Sequence, residues 1–528
     1  MRRSILIYAA LALLGAAPGE REDPRITLRA EYRQDALDYD EAEKRFLRES
    51  SRLDFGGSSA GITHIHIPGT PSHRFTWHLH LRDISPHFDA AMGHYRLNFG
   101  TGLLVGRKRS VSPDAFTRRL VISRGTPFFP SDTGNPLFSF HGAAASATIG
   151  GPMCMASAGG FFSFRNRFAR EDPLLPGTTR SGFPTILSGM EKDHRRTEPA
   201  EIFDRGCFIT LVIGERLTAQ SYLINTGIRR SGGRPLLWGR DGEGAASAFG
   251  GYGFFLQYRD EYIALFTELC FPRLAGRTST GRKQTSRARG LSGGIVFSHP
   301  ALTLSFSGKS TTGNYFSPYA SGRSRAETAW AADITLRPVP RLSIGSGVFL
   351  EKSKTPSSRE PHRPALRREA VSIRYGAAGR GSITARFTCV EKEKRRGIER
   401  SLKLGLSGRM YLRRSVLFRL HGTGQSRERG RHSASLGGGV TLWLFNFLEV
   451  RATYARFFID RNDPLYSVAP KREARVAPGS YVRESSDRIG LGLKARWGSA
   501  SLTGACLHLF TGSRTIRTRL EFSASLAL

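Results

Sequence analysis

The last fifteen residues, Arg514 to Leu528, alternate between apolar and polar side chains. One face would carry Ile516, Thr518, Leu520, Phe522, Ala524, Leu526 and Leu528, and the other Thr515, Arg517, Arg519, Glu521, Ser523, Ser525 and Ala527. A repeat of two residues is the period of a β-strand. Because a tilted strand needs about 9–11 residues to cross a bilayer, this segment predicts a membrane-spanning strand with one face toward lipid.

The same alternation recurs upstream, for example over 402–412 and 488–497. Short connections such as 379–381 and 413–414 alternate with long polar stretches such as 165–204, 391–400 and 460–487. Outer-membrane barrels have short turns at one end and longer loops at the other. The pattern therefore predicts an all-β fold over residues 51–528, a transmembrane antiparallel barrel with an even number of about 20–24 strands.

Residues 1–19 have the features of a cleaved signal peptide. Arg2 and Arg3 are basic, the stretch 5–14 is largely apolar, and 15–17 are small. An apolar stretch of this length is too short to span a bilayer as a helix. We therefore expect export and, with the barrel, a location in the outer membrane of a diderm bacterium. Residues 20–50 are polar and charged, and the sequence leaves open whether they form a first strand or a periplasmic lead-in.

The net charge is +35, from 79 Lys and Arg against 44 Asp and Glu. Such an excess usually suggests nucleic-acid binding. Here the basic residues are spread over loops and alternate strand positions, and no nucleic-acid-binding motif accompanies them. We therefore expect no specific nucleic-acid partner, and both an arginine-rich genome and a functional cause remain open. The mean hydropathy of −0.30 argues against a helical membrane protein, whereas a barrel strand averages an apolar and a polar face.

If the apolar strand faces meet lipid, the opposite faces line the lumen. The lumen-facing candidates for contact with a solute are Lys403, Arg409, Arg451, Lys494, Arg496, Arg517, Arg519 and Glu521. Inward cations favour anionic solutes in a pore. The alternative is that the arginines pair with acidic lumen residues such as Asp333 and Glu449 and help to fill the interior.

Chemical motifs are otherwise scarce. His64 with His66, and His78 with His80, would each share a strand face, and the two pairs could bind zinc if they met across a sheet. With no carboxylate ligand indicated nearby, we expect no metal. The five cysteines form no CxxC pair, and no GxSxG, HExxH or P-loop is present. We therefore predict no cofactor and no enzymatic activity, with a barrel enzyme as a remote alternative.

Two further expectations concern particular strands. The run 94–106 is interpreted as one strand. Aromatic residues near predicted strand ends fit the girdles that flank the membrane; they are Tyr411, Trp443, Phe445, Phe447, Phe457, Phe458, Trp497 and Phe510.

The run MGHYRLNFGTGLLVG at 92–106 is followed by VISRG at 121–125, SDT at 131–133 and FHGAA at 140–144. In this order, across residues 74–148, the chain resembles the barrel portion of a poorly characterised family of outer-membrane proteins from Bacteroidetes and other diderm bacteria. That family often carries N-terminal helix-hairpin-helix repeats, and none fits before residue 50 here. His94 and Thr101 stand where the family has Asp and Gln. The resemblance implies a barrel in an outer membrane and implies no particular activity.

The sequence thus predicts an outer-membrane β-barrel that acts as a porin-like or ligand-selective channel for small, anionic solutes. The alternative is a plugged structural or surface-exposed barrel, an adhesin or assembly partner, whose basic external loops bind surface polyanions. In either case the expected partners are outer-membrane lipid and the barrel-insertion machinery. The two hypotheses differ in whether 20–50 or 165–204 folds into the lumen.

Overall fold

The structure is a computed structural model. It describes residues 25–37, 44–55, 58–66, 73–85, 87–105, 127–131, 139–151, 153–170, 197–230, 244–278, 283–312, 327–353, 365–377, 381–394, 397–413, 415–427, 431–444, 447–458, 465–467, 480–482, 486–498, 500–511 and 514–527. The predicted signal peptide lies outside the described residues.

The described residues form strands joined by turns. The strands are β1 Arg25–Leu37, β2 Lys44–Phe55, β3 Ser58–His66, β4 His73–Ser85, β5 Phe88–Leu97, β6 Phe128–Pro130, β7 Phe140–Gly151, β8 Cys154–Arg170, β9 Thr197–Ile213, β10 Leu217–Arg230, β11 Gly244–Arg259, β12 Ile263–Thr278, β13 Lys283–Arg287, β14 Gly290–Ser298, β15 Leu302–Thr311, β16 Glu327–Val339, β17 Leu342–Ser353, β18 Ala365–Ala377, β19 Gly381–Lys394, β20 Gly397–Arg413, β21 Val416–Arg427, β22 Arg431–Leu444, β23 Leu448–Phe458, β24 Leu465–Ser467, β25 Ser480–Val482, β26 Ser486–Trp497, β27 Ala500–Thr511 and β28 Arg514–Ala527. In this part of the chain no helix is long and apolar enough to cross a membrane.

One closed antiparallel sheet contains all of these strands except the small β24–β25 hairpin. It has 26 strands, but β6 pairs only with the end of β5, and β13 and β14 form one interrupted strand along β12. The ring built by the described residues therefore has 24 strands. It closes where β28 pairs with β1, from Ala527 opposite Thr27 to Arg517 opposite Leu37. The predicted all-β antiparallel barrel is confirmed, and its even strand number is the one that a closed antiparallel ring requires.

The two faces of the ring differ in composition. On β12, Leu265 and Leu269 are 41% and 42% exposed, whereas Phe266, Glu268 and Cys270 alternate with them and are buried. Other strands around the ring also carry exposed apolar residues on this face, among them Leu223, Phe254, Leu304, Trp330, Leu404, Leu436 and Leu491. A contiguous exposed apolar surface is characteristic of contact with hydrocarbon. We call this the outer face and the opposite one the inner face.

Short and long connections alternate along the chain, as the sequence predicts. At one end of the barrel every connection spans two or three residues, such as 152–153, 340–341 and 498–499. At the other end consecutive strands of the ring are separated by longer intervals of sequence, such as the 26 residues between β8 and β9 and the 13 residues between β10 and β11. The last residues of β28 and the first of β1 lie at the short-turn end.

Several strands extend farther than the sequence pattern predicted. Most of the stretch 391–400, predicted as a long loop, instead belongs to β19, which ends at Lys394, and to β20, which begins at Gly397. Its polar residues extend the sheet beyond the apolar belt, so hydropathy underestimates strand length there. The segment 20–50 contributes β1 and part of β2 to the wall of the barrel.

Candidate functional site

A segment of the chain leaves the wall after β5 and enters the interior of the barrel. We call residues 98–105 and 127–131 the lumenal segment. Its two parts are joined by a hydrogen bond from Asn98 N–H to the Pro127 carbonyl, 2.8 Å long. Phe99, Leu104 and Phe128 are completely buried. They pack on inner-face side chains of β8 to β12, so this part of the interior is a hydrophobic core.

A buried carboxylate fixes the lumenal segment to the wall. Glu268 on β12 accepts hydrogen bonds from the Thr101 N–H (2.6 Å), the Thr101 hydroxyl, the Leu103 N–H (3.4 Å) and the Tyr222 hydroxyl (2.5 Å). Burial of a carboxylate without partners is costly, and hydrogen bonds to a charged acceptor are the strong ones. Glu268 therefore fixes the position of this segment.

Local sequence explains why the chain can turn here. Gly100 and Gly102 have φ of +50° and +82°, in the region that favours glycine. A Cβ on Gly100 would lie 2.7 Å from the carboxyl carbon of Glu268. The Gly100 N–H also donates to the side-chain oxygen of Gln220 at 3.1 Å. Glycine is thus required both for the turn and for the close approach to the wall.

Aromatic packing adds to these polar contacts. The Phe99 ring stacks on that of Tyr222 with 4.6 Å between centroids and 9° between planes. At the end of β5, the Tyr95 hydroxyl donates to the Phe162 carbonyl at 2.7 Å. Such stacked pairs contribute about 0.5–1.5 kcal/mol beyond their buried area. The segment is therefore anchored along its length.

A buried ion pair lies nearer the long-loop end. Arg165 on β8 donates to Asp204 on β9 at 2.5 Å, and their side chains are 8% and 0% exposed. Thr226 on β10 also donates to Asp204, at 3.0 Å. The Arg165 guanidinium lies 4.9 Å from the centre of the Phe140 ring. This network ties three strands together beside the core.

The prediction that 94–106 forms one strand is therefore wrong after Leu97. The glycines reverse the chain, and Glu268 binds the resulting turn. Two segments, 20–50 and 165–204, were expected to decide whether the lumen is filled. The described parts of 20–50 lie in β1 and β2, and those of 165–204 lie in β8 and β9 of the wall. Residues 171–196 lie outside the described residues. The segment that enters the lumen was not one of these two.

The opposite side of the barrel has a different inner face. We call the inner faces of β7 to β12 the packed wall, and those of β18 to β23 and β26 the cationic wall. Among the described side chains of the cationic wall, basic residues outnumber acidic ones. The basic residues are Arg368, Arg374, Arg386, Lys392, Lys403, Arg409, Arg419, Arg451, Arg488, Lys494 and Arg496, and the acidic ones are Glu399 and Glu449.

The structure places the five described lumen-facing candidates on this wall. They are Lys403, Arg409, Arg451, Lys494 and Arg496, and the first two and the last are exposed. The other three, Arg517, Arg519 and Glu521, lie on β28, and their side chains lie outside the described part. In register, Arg519 is opposite Asp35 and Glu521 is opposite Arg33 of β1.

Two carboxylates named in the pairing alternative also lie on the inner face. Glu449 accepts a hydrogen bond from Arg451 Nε, and the two form an ion pair. Asp333 accepts a hydrogen bond from the Ser305 hydroxyl. Pairing and an excess of cations therefore coexist on the inner surface.

The histidine pairs do not meet. His78 is opposite Gly61, and His64 is opposite Phe75, so the register places His64 on the outer face and His78 on the inner one. His80 is buried on the same side as His78. The side chain of His66 is not described. Within the described residues, no three His, Cys, Asp or Glu side chains are grouped as metal ligands would be.

Three aromatic residues expected in the membrane girdle lie instead on the inner face. Tyr411 and Trp443 lie on the cationic wall, with stacked rings 6.4 Å apart. Phe457 is also an inner-face residue. By contrast, Trp497 is 62% exposed on the outer face and stacks on Phe447 at 5.5 Å. The alternation of residues could have shown this, since Tyr411 shares parity with Arg409.

Sequence reasoning missed the anchors Glu268, Tyr222 and Gln220. Each is a polar residue on the inner face of β10 or β12, with no motif around it. The one available signal was the FGTG run at 99–102, whose paired glycines are unusual within a strand.

No family model matches the chain, and no curated protein matches it. Among solved structures, a ferric enterobactin receptor mutant of Pseudomonas aeruginosa has 10% identity and a TM-score of 0.49, covering 95% of this chain and 80% of that one. The siderophore receptor PirA of the same species has 7% identity and a TM-score of 0.48, covering 96% and 80%. The translocation pore of the P pilus usher PapC has 9% identity and a TM-score of 0.42, covering 95% and 99%. At these scores nothing is transferred from those proteins to this chain.

Proposed function

We propose that this chain is an integral outer-membrane protein of a diderm bacterium that admits small anionic solutes into its lumen. The exposed apolar outer face supports residence in a bilayer. The short turns support an orientation with the 498–499 end toward the periplasm and the long connections outside. The resemblance over residues 74–148 agrees with this location and adds nothing about the solute.

The observation that carries the proposal is the asymmetry of the interior. The lumenal segment is attached to the packed wall, and the cationic wall opposite it carries exposed Lys403, Arg409 and Arg496. A passage bounded on one side by this wall would have a positive potential. Such a potential concentrates anions and repels cations.

Planar-bilayer recording of the refolded protein in a KCl gradient tests this proposal. We expect a reversal potential of the sign that indicates preference for chloride. The double variant Arg409→Glu/Arg496→Glu should reduce or invert that preference. Lys352→Glu, which changes an exposed outer-face residue beside a long connection, should leave it unchanged.

The second candidate is a plugged barrel that acts through its external loops. The docking of the lumenal segment on buried Glu268 favours it, because a segment held this firmly would not move aside easily. Absence of channels from protein with β-sheet circular dichroism and heat-modifiable migration would support this candidate and contradict conduction. Binding of the protein to immobilised surface polyanions would then be the next measurement. In both cases assembly would depend on the barrel-insertion machinery.

A further inference from the structure

We propose that the short-turn end of the cationic wall is a binding site for a phosphate group carried by a small soluble anion. The site comprises Arg409, Arg419, Arg451, Lys494 and Arg496. This proposal rests on the proposed function, because a solute must reach the lumen to bind there. It adds the chemical class of that solute.

The first observation is a pair of like charges. Arg409 on β20 and Arg419 on β21 lie directly opposite each other on the inner face, beside the turn at 414–415. Like charges in this arrangement destabilise a sheet. Arg409 Nε donates to the Ser382 hydroxyl at 3.0 Å, and an anion bound between the two guanidinium groups would offset their repulsion.

Other cations surround this pair. Arg419 is within electrostatic range of Arg451 and Glu449, and Lys494 is within range of Arg496, Arg451 and Glu449. Glu449 forms an ion pair with Arg451 and lies opposite Lys494 in register. This carboxylate neutralises part of the charge and can orient Arg451. The five basic residues still leave an excess of positive charge for a ligand.

The surroundings give the site a defined shape. Trp443 lies next to Glu449 in register, and its ring stacks with that of Tyr411 at 17° between planes. The residue opposite Arg419 on β22 is Gly439, and the one opposite Arg451 on β26 is Gly492. A Cβ on Gly492 would meet its nearest neighbour, Cβ of Arg451, only at 3.7 Å, whereas a Cβ on Gly439 would lie 2.9 Å from Cγ2 of Thr453. The space beside Arg451 is therefore more open than the space beside Arg419.

The residue types favour a phosphate group over a halide. Arginine has a planar fork of donors that matches phosphate or carboxylate oxygens, and several arginines together best match an ion with more than one charge. Because the site is on the inner face, the wall of the barrel separates it from lipid headgroups. A soluble phosphate-bearing solute is therefore the expected ligand.

Isothermal titration of inorganic pyrophosphate into the refolded full chain, in uncharged detergent at low salt, tests the site. We expect Arg419→Gln to weaken binding at least tenfold. Arg368→Gln, which removes an exposed inner-face arginine near the long-loop end, should change it less than twofold. Arg419→Lys keeps the charge but loses the fork, and should fall between the wild type and Arg419→Gln. Arg409→Gln is a second test if Arg419→Gln does not fold.

Fluorescence gives an independent measurement. Pyrophosphate should change the tryptophan emission of the wild type, and the change should disappear in Trp443→Phe. Equal weakening by Arg419→Gln and Arg368→Gln would overturn the site and indicate diffuse attraction to a basic lumen. Arg419-dependent binding by a protein that shows no channels would support the site and contradict conduction. Chloride-selective channels without Arg419-dependent binding would overturn the site and leave the proposed function standing.

Discussion

The packed wall and the cationic wall are built on the same backbone, yet they treat charge in opposite ways. On the packed wall Arg165, Asp204 and Glu268 are buried, and each has specific partners at hydrogen-bond distance. On the cationic wall Lys403, Arg409 and Arg496 are exposed. The difference follows from what each wall contacts. A wall covered by a hydrophobic segment must provide hydrogen-bond or charge partners for every charge it buries, whereas a wall exposed to solvent can keep an excess of one sign.

This comparison has an energetic consequence. Substitutions on the packed wall should act mainly on stability, because they leave buried groups without partners. Substitutions on the cationic wall should act mainly on ions and solutes. The predictions below test that division.

The largest effect is expected at the buried ion pair. Arg165→Met leaves Asp204 buried without its counter-charge, which typically costs about 3–5 kcal/mol. We expect the free energy of unfolding, measured by denaturant titration in micelles, to fall by about that amount. Arg368→Met on the cationic wall should cost less than about 1 kcal/mol, as exposed charges do. Similar losses for the two variants would contradict the distinction between the walls.

The second prediction concerns the anchor of the lumenal segment. Glu268→Gln keeps the shape but removes the negative charge and replaces one of the two acceptor oxygens by an NH₂ group, which cannot accept from Tyr222, or from Thr101 and Leu103 if the amide is turned the other way. We expect a loss of about 1–3 kcal/mol, the cost of an unsatisfied buried group, and a larger or more variable conductance as the segment loosens. Glu399→Gln, on the cationic wall, is the control for the stability measurement. If the conductance of Glu268→Gln equals that of the wild type, the segment does not limit the passage.

The third prediction compares two glycines. Gly100→Ala forces an L-residue into a left-handed conformation and places its Cβ against Glu268, so we expect a loss of at least about 1–2 kcal/mol. Gly424→Ala is on β21, where a Cβ would meet nothing within 4 Å. In an extended strand this change should be neutral or stabilising by about 0.5–1 kcal/mol. Opposite signs in denaturant titrations would support the docking geometry, and equal signs would not.

The smallest effect is expected at a short turn between strands. Such a turn lies outside both walls, so the difference between the packed wall and the cationic wall should not affect it. Asp260 accepts hydrogen bonds from the N–H groups of Tyr262 and Ile263, which lower the pKa of its carboxyl below the usual value. A lowered pKa means that the contribution to stability is present above the unfolded-state pKa and is lost as pH falls through the folded-state pKa. Local opening at Ile263, measured by hydrogen exchange, should therefore increase in acid.

Asp260→Asn should remove this pH dependence. The amide of Ala500, after the turn at 498–499 with no ionisable residue, should show none beyond intrinsic exchange. A pH response of Ile263 that persists in Asp260→Asn would assign it to another group.

The barrel was predictable because lipid on one side and the lumen on the other impose a period of two on every strand. This is why β20, β26 and β28 could be recognised from alternation alone. The same rule assigns Tyr411 and Trp443 to the lumen. The prediction that they belong to the girdle is wrong because it used only their distance from the strand ends. It did not use their odd or even position, which decides the face of the strand.

The lumenal segment was not predictable by this rule. Its position depends on contacts between Thr101 and Glu268, which are 167 residues apart in the chain. An isolated glutamate on an inner face reads as one more lumenal charge, and a GTG run can be read as part of a glycine-rich strand. Only the closed ring brings the two together, so local pattern cannot distinguish a strand from a docked turn.

Closure of the ring also has a kinetic side. Nearly all neighbouring strands follow each other in sequence, whereas β1 and β28, which pair with each other, are the first and last strands of the described chain. Hairpins can form early and locally, but loop-closure entropy makes this last pairing slow. Until it forms, two strand edges with unpaired backbone groups are exposed, which makes the unclosed sheet prone to pairing with other chains. The protein is therefore most vulnerable to aggregation before β1 and β28 pair, and these two edges need protection during assembly.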